Sequence, residues 1–352
     1  MEVELTAALI DDADTSDLDL LALTAFGFSG RHRVLPDDIV VWTRWQQKLP
    51  TALADEIHLA WEESSRRDEL GTRSERLRVV PASKGDFTST PLELAAREAL
   101  TLLGRPLRVL LENGRNDRAF LLAFAGASRT LLEGAEREGW LVFENAGGIG
   151  ELKVRVEASI DDALREVYRT MYLCDSDALE PGQLSKEAGE VHDALAALGV
   201  RYAQNASHFG VVLARRAAEN YAPPADVVAW AKRVYGPRHD AVFQELARNR
   251  SAVTASPGAT NSPRRTLLAA IALNELRHQP LVLGHLDMKH GRGAAPHRTA
   301  DAVWHVLDDF QKAALREGFG RGFAADFYPK HSGLKDRTGE IQTIVSTIVE
   351  RL

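Results

Sequence analysis

Hydrophobic and polar positions change their period partway along this chain. Up to about residue 100, apolar residues recur at helical spacing, as in Trp42, Trp45, Leu49 and Leu53 after Asp37-Asp38. A second helix is predicted from Ala52 to Ser65 behind Pro50-Thr51, and a short one from Pro91 to Leu103. Between them, Gly71 to Thr90 is polar and reads as a linker. From Leu107 the pattern becomes short apolar runs alternating with helical stretches. Strands are predicted at 107–112, 140–143, 170–174, 200–202 and 211–213, with helices over 117–124, 128–138, 160–168 and 184–198 between them. The segment 144–150 is a glycine turn. Strands separated by helices imply right-handed crossovers and a mostly parallel sheet. Beyond Tyr221 the pattern is helical over 224–234, 239–248, 265–276, 299–316 and 338–352. Two loops interrupt it, Ser251–Pro263 and the basic Lys289–His297. The expected organisation is therefore a mostly helical region over 1–104, an α/β domain over 105–222 and a helical region with basic loops over 223–352.

Composition narrows the class. At 352 residues, with 45% hydrophobic and 26% charged content, the chain is ordinary for a globular protein. No apolar run approaches a membrane span, so no membrane partner is expected. The acidic start MEVELTAALIDDADTSD resembles neither a secretory signal nor a transit peptide, and the cytoplasm is the default expectation. The single cysteine, Cys174, excludes an internal disulfide and thiolate zinc clusters, and its position inside a strand reads as a small buried hydrophobe. The net charge of −7 hides an asymmetry. From Val200 onward there are 21 Lys and Arg against 14 Asp and Glu, and before it 22 against 36. Eight of the 11 histidines also lie in the later part. A basic half opposite an acidic one suits a phosphate backbone held over a cation, although composition also drifts between domains without functional cause.

The chemistry concentrates where strands end. Asp175 and Asp177 close the apolar run Thr170–Cys174, and Glu112 closes Leu107–Leu111. Acids delivered to one edge of a sheet suggest a Mg²⁺ or Mn²⁺ site. Each has a plainer reading as well. Asp after a strand favours turns and helix caps, and Asp117 reads equally as the N-terminal cap of its own helix. The tryptophan stripe reads as core, and Tyr221 as packed. No Walker-type G-x-x-x-x-G-K-[ST] run occurs, so no ATPase signature is present.

In sequence order, Glu112-Asn113-Gly114-Arg115-Asn116-Asp117 follows an apolar strand. Gly147-Gly148 follows the next strand, and Asp175-Ser176-Asp177 the one after. Arg216-Ala217-Ala218-Glu219-Asn220-Tyr221 comes later. Together these resemble the motifs of TOPRIM domains, the fold shared by topoisomerases, primases and OLD-type nucleases, with the OLD-type branch the nearest. Asn113 between Glu112 and Gly114 departs from the family pattern. The resemblance covers roughly 105–222. It implies that Glu112, Asp175 and Asp177 hold one Mg²⁺ or Mn²⁺, with Asp117 and Glu219 as candidates for a second. It further implies a lysine aimed at the developing charge, with Lys289 first and Lys330 and Lys335 as alternatives. Arg215, Arg216 and Lys335 are candidate nucleic-acid contacts.

The activity so implied is metal-dependent hydrolysis of phosphodiesters, in DNA ahead of RNA. Without an ATPase of its own, such a chain is expected to act in bacterial antiviral defence with an ATPase or sensor partner, and a homo-oligomer is compatible with it. The alternatives are a catalytically degenerate TOPRIM scaffold that binds nucleic acid or a partner protein, and a primase-like nucleotidyltransferase.

Overall fold

The computed structural model describes residues 1–66, 75–161, 166–176, 184–214, 218–223, 322–336 and 338–352. Its first half corrects the expectation of a mostly helical region over 1–104. Four short strands, β1 (Glu2–Leu5), β2 (Arg33–Pro36), β3 (Arg76–Val80) and β4 (Leu92–Ala95), form an all-parallel sheet in the order β2-β1-β3-β4. β3 lies inside the stretch expected to be linker, and β4 occupies the start of the helix expected from Pro91. The helices of this half are α1 (Ala7–Ile10), α2 (Asp17–Phe28), α3 (Ile39–Gln46), α4 (Thr51–Arg66) and α5 (Ala96–Gly104).

The strands alternate with period two. Val3, Leu5, Val34, Leu77, Val79, Leu92 and Leu94 turn into the core. On the other face Arg33 and Arg76 flank Glu2 at 2.6 and 2.7 Å, and Arg78 joins Glu4 and Glu93 at 2.8 and 2.7 Å. Charged residues on one face of four- and five-residue strands dilute the apolar signal, which is why this sheet escaped the periodicity. The helices follow local rules better. Asp38 accepts the Val40 and Val41 amides at 2.8 and 3.1 Å and starts α3, whose Trp42 and Trp45 are buried, as the stripe predicted.

The second half contains the expected parallel sheet. β5 (Leu107–Leu111), β6 (Leu141–Asn145), β7 (Thr170–Cys174) and β8 (Gly210–Val212) are all parallel and ordered β6-β5-β7-β8. Their connections carry α6 (Gly114–Phe124), α7 (Arg129–Arg137), α8 (Ile149–Ala158), α9 (Lys186–Arg201) and α10 (Ala206–Phe209). A helix is found earlier, at α8; of the stretch expected as helix over 160–168, the described residues form two 3₁₀ turns, Ser159–Asp161 and Glu166–Arg169, with 162–165 outside them. The strand expected at 200–202 is the end of α9. Val191, Leu195, Leu198 and Tyr202 continue one buried helical face, and that face overrides the β-propensity of Val-Arg-Tyr.

Near the C-terminus come α11 (Gly322–Phe327) and α12 (Glu340–Arg351), the latter matching the helix expected over 338–352. The helices expected over 224–316 lie outside the described residues.

Strands β5 and β7 carry apolar residues on both faces, as buried parallel strands do, apart from Arg108 of β5, which pairs with Glu144 at 2.6 Å. Val109, Leu111, Met171 and Leu173 face Phe120 and Phe124 of α6, Phe327 and Tyr328, and Ile341, Ile344 and Ile348 of α12. Leu110, Tyr172 and Cys174 face the opposite side, in one core with Leu152, Val156, Val191, Leu195 and the N-terminal sheet. Among the described residues no helix is long and apolar enough to cross a membrane.

Candidate active site at the carboxyl edge of the second sheet

β5 and β7 are hydrogen-bonded neighbours in register, Leu111 opposite Leu173. The residues that follow them must therefore emerge side by side. Glu112 leaves β5 with its amide on the Leu173 carbonyl at 3.2 Å, and the Asp175 amide donates to Glu112 Oε2, also at 3.2 Å. The first two acidic residues of the expected set thus leave the sheet edge side by side, both half-buried.

Three turns fix this point. After β6, Gly147 and Gly148 take φ of +92° and +115°, conformations that side chains disfavour. The Gly148 amide then reaches the Glu112 carbonyl at 3.1 Å. The glycine turn therefore brings backbone up to the acidic edge. After β5, Gly114 has no room for a side chain, because a Cβ there would lie 2.8 Å from the Asn145 Cβ. Asn145, the last residue of β6, ties the two turns together. Its Oδ1 accepts the Gly114 amide at 3.2 Å and the Gly147 amide at 3.1 Å. Asp117 lies in the first turn of α6, and its Oδ2 accepts the Asn113 amide at 2.7 Å. The N-cap of α6 is therefore Asn113 and not Asp117, which ties back to that residue's amide from within the helix.

The third turn follows β8. Leu213 donates to the Cys174 carbonyl at 2.9 Å, and the Ala218 amide donates to Asp175 Oδ1 at 3.0 Å. The segment is held from outside the α/β domain. Glu340, on the first turn of α12, accepts the Ala214 amide through Oε1 at 2.8 Å and the Tyr221 hydroxyl through Oε2. The Tyr328 hydroxyl donates to the Ala218 carbonyl at 2.6 Å. Tyr221 is buried against Phe120, as its packed reading expected.

Asp177, Arg215, Arg216 and Lys289 lie outside the described residues. Glu219 falls in the 3₁₀ turn Ala218–Tyr221, with its side chain outside them. Lys335 is exposed. Its neighbour Leu334 donates to the Ala123 carbonyl at 3.0 Å, nine residues along α6 from Gly114, or about 14 Å at helical rise. Lys330, exposed, pairs with Asp326. Cys174 is buried, as expected of it.

Sequence reasoning passed over Asn145, Tyr328 and Glu340. None carries a local signal, since each acts on a segment distant in the chain. Among the described residues no group of three or more His, Cys, Asp and Glu converges; Asp177, the third carboxylate of the expected set, is not among them. The Glu112–Asp175 pair fits a hard divalent cation on donor chemistry, being oxygen ligands from two fixed strand ends. No protein-family model, curated protein or solved structure matches this chain.

Proposed function

We propose that this chain is a divalent-metal-dependent nuclease that cuts phosphodiesters at the carboxyl edge of β5 and β7. One observation supports this most, the Asp175 amide lying 3.2 Å from Glu112 Oε2. Adjacent parallel strands bring two acidic residues out side by side, and open α/β sheets bind their ligands beyond the carboxyl ends of their strands. Glu112 and Asp175, with Asp177 two residues on, would hold Mg²⁺ or Mn²⁺. The bound ion would neutralise phosphate charge and lower the pKa of a coordinated water.

The chain's own contribution is placement. Asn145, Gly148 and the Asp117–Asn113 tie at the start of α6 fix Glu112, and the Ala218 amide fixes Asp175. Donors held before the reaction begins cost no reorganisation during it. The motif order shared with OLD-type TOPRIM proteins favours the same reading. It also supports a role in antiviral defence alongside an ATPase or sensor partner.

The test is plasmid and single-stranded DNA and RNA incubated with Mn²⁺, Mg²⁺ or chelator. Nicking in Mn²⁺ that chelator abolishes is expected, with Asp175→Asn and Glu112→Gln each slower by at least about 100-fold, or about 2.7 kcal/mol of transition-state stabilisation. Substrates left intact in every divalent salt, or cut equally by Asp175→Asn, would sink the proposal.

A second reading has its own observation. Both carboxylates accept backbone amides, so they also serve as ties between loops. In a scaffold that is their whole task, and nucleic acid or a partner protein would then bind with no metal requirement.

A further inference from the structure

We infer that Glu340 is a positioning residue for this site, reaching it from the far end of the chain. The inference rests on the nuclease reading for its catalytic meaning. Its geometry stands alone.

The segment from Ala214 to Tyr221 carries in sequence Arg215, Arg216 and Glu219, and through the Ala218 amide it touches Asp175. Both of its ends converge on one carboxylate. Glu340 Oε1 takes the Ala214 amide at 2.8 Å, and Oε2 takes the Tyr221 hydroxyl. A carboxylate is the side chain for this task, having two oxygens about 2.2 Å apart that each accept. The hydrogen bonds involve a charged acceptor and are stronger than neutral ones.

Glu340 is itself fixed. Its amide donates to Asp336 Oδ2 at 2.9 Å, and α12 behind it is anchored by Ile341, Ile344 and Ile348 in the core. Tyr328 adds a second tie from the same part of the chain, on the Ala218 carbonyl. The helix that closes the described chain thus braces the loop that supports Asp175. The predicted consequence is a site that loosens, without losing its acids, when Glu340 is shortened.

The test compares Glu340→Ala, Glu340→Gln and the milder Tyr221→Phe, which keeps the ring against Phe120. Two readouts are used, amide hydrogen exchange by peptide and nicking kinetics in Mn²⁺. In Glu340→Ala, peptides spanning 212–222 should exchange at least about 10-fold faster while β5 and β7 keep their protection. Tyr221→Phe should show a smaller increase, and Glu340→Gln should restore part of the protection. In activity, the half-saturating Mn²⁺ concentration should rise about 10-fold, with kcat at saturation within about 3-fold of the parent protein. Unchanged exchange over 212–222, or acceleration spread evenly over the whole protein, overturns the inference. Loss of kcat with no change in the Mn²⁺ requirement overturns it too. If the parent protein cuts nothing, the nuclease reading falls, and hydrogen exchange alone then decides whether Glu340 holds the segment.

Discussion

At the scale of single residues, the site is decided by what each side chain excludes as much as by what it offers. Gly114 belongs to the turn after Glu112, and the reason for glycine there is the Asn145 backbone and Cβ pressing against it. Gly114→Ala should therefore cost about 1–3 kcal/mol, measurable by urea unfolding, and should displace Glu112 enough to lower Mn²⁺-dependent activity. Unchanged stability would mean that the two turns part at no cost. The glycine was legible in the sequence as part of a motif. Its physical cause was not, because Asn145 opposes Leu111 only through the β5–β6 register. Glu112 and Asp175 were legible because each follows a short, largely apolar strand, and strand ends in a parallel sheet share an edge. Asp117 was open between ligand and cap; the N-cap is Asn113, and Asp117 ties back to its amide.

At the scale of elements, the start of α12 matters most. Asp336, nearly buried, accepts the Glu340 and Ile341 amides at 2.9 and 3.4 Å and the Thr338 hydroxyl at 2.5 Å. These amides belong to the helix end that has no partners of its own. Asp336→Ala should destabilise the protein by about 1–2 kcal/mol in urea unfolding, the cost of leaving the first helical amides without their side-chain acceptor. A change below a few tenths would show that water serves the helix end equally well. The helix itself was legible from its apolar spacing, and so were α3, α4, α6 and α7. Its cap lay just outside the segment that periodicity marks. The four strands of the first sheet were not legible, since one face of each is charged and none exceeds five residues.

At the scale of the whole molecule, the two sheets and α12 are joined at the end of β7 opposite the acidic edge. Arg351 is buried and donates to the His208, Tyr168 and Thr170 carbonyls at 2.6, 2.7 and 3.3 Å. Its Nε lies 3.6 Å from Glu75, the residue before β3, and Glu75 Oε1 lies 3.3 Å from His208 Nε2. The Glu75 amide donates to the Glu350 carbonyl at 3.1 Å. Such nearness to a carboxylate would ordinarily favour a charged imidazole. Burial, with the Arg351 charge adding to it, instead pushes His208 down to about 2, and burial pushes the Glu75 carboxyl up.

His208 is thus neutral in the folded protein, while in the unfolded chain it takes a proton below its ordinary value of 6.5. The stability this contributes is complete above pH 6.5 and is lost as pH falls toward 2, at up to about 1.4 kcal/mol per pH unit. Urea unfolding of the parent protein and His208→Gln from pH 7.5 to 5 should show the difference between them constant above pH 7 and drifting in favour of the variant below 6.5. A difference that stays flat over the whole range would mean that His208 takes up its proton at the same pH in the fold as in the unfolded chain.

The sequence by itself determined the parallel α/β organisation of 105–222, the two strands that end in acids, the glycine turn beside them and the apolar face of the last helix. Each is a local pattern, written within a dozen residues and read by period or by terminal residue. Tertiary structure alone decided that a second parallel sheet lies in the first hundred residues, that Asn145 binds two turns together and that Glu340 reaches Ala214 and Tyr221. It also decided that a histidine beside a carboxylate stays neutral. These depend on strand register, on burial and on hydrogen bonds between residues up to about 130 positions apart. Such contacts leave no trace in local periodicity, because their energy comes from groups that only folding brings within reach.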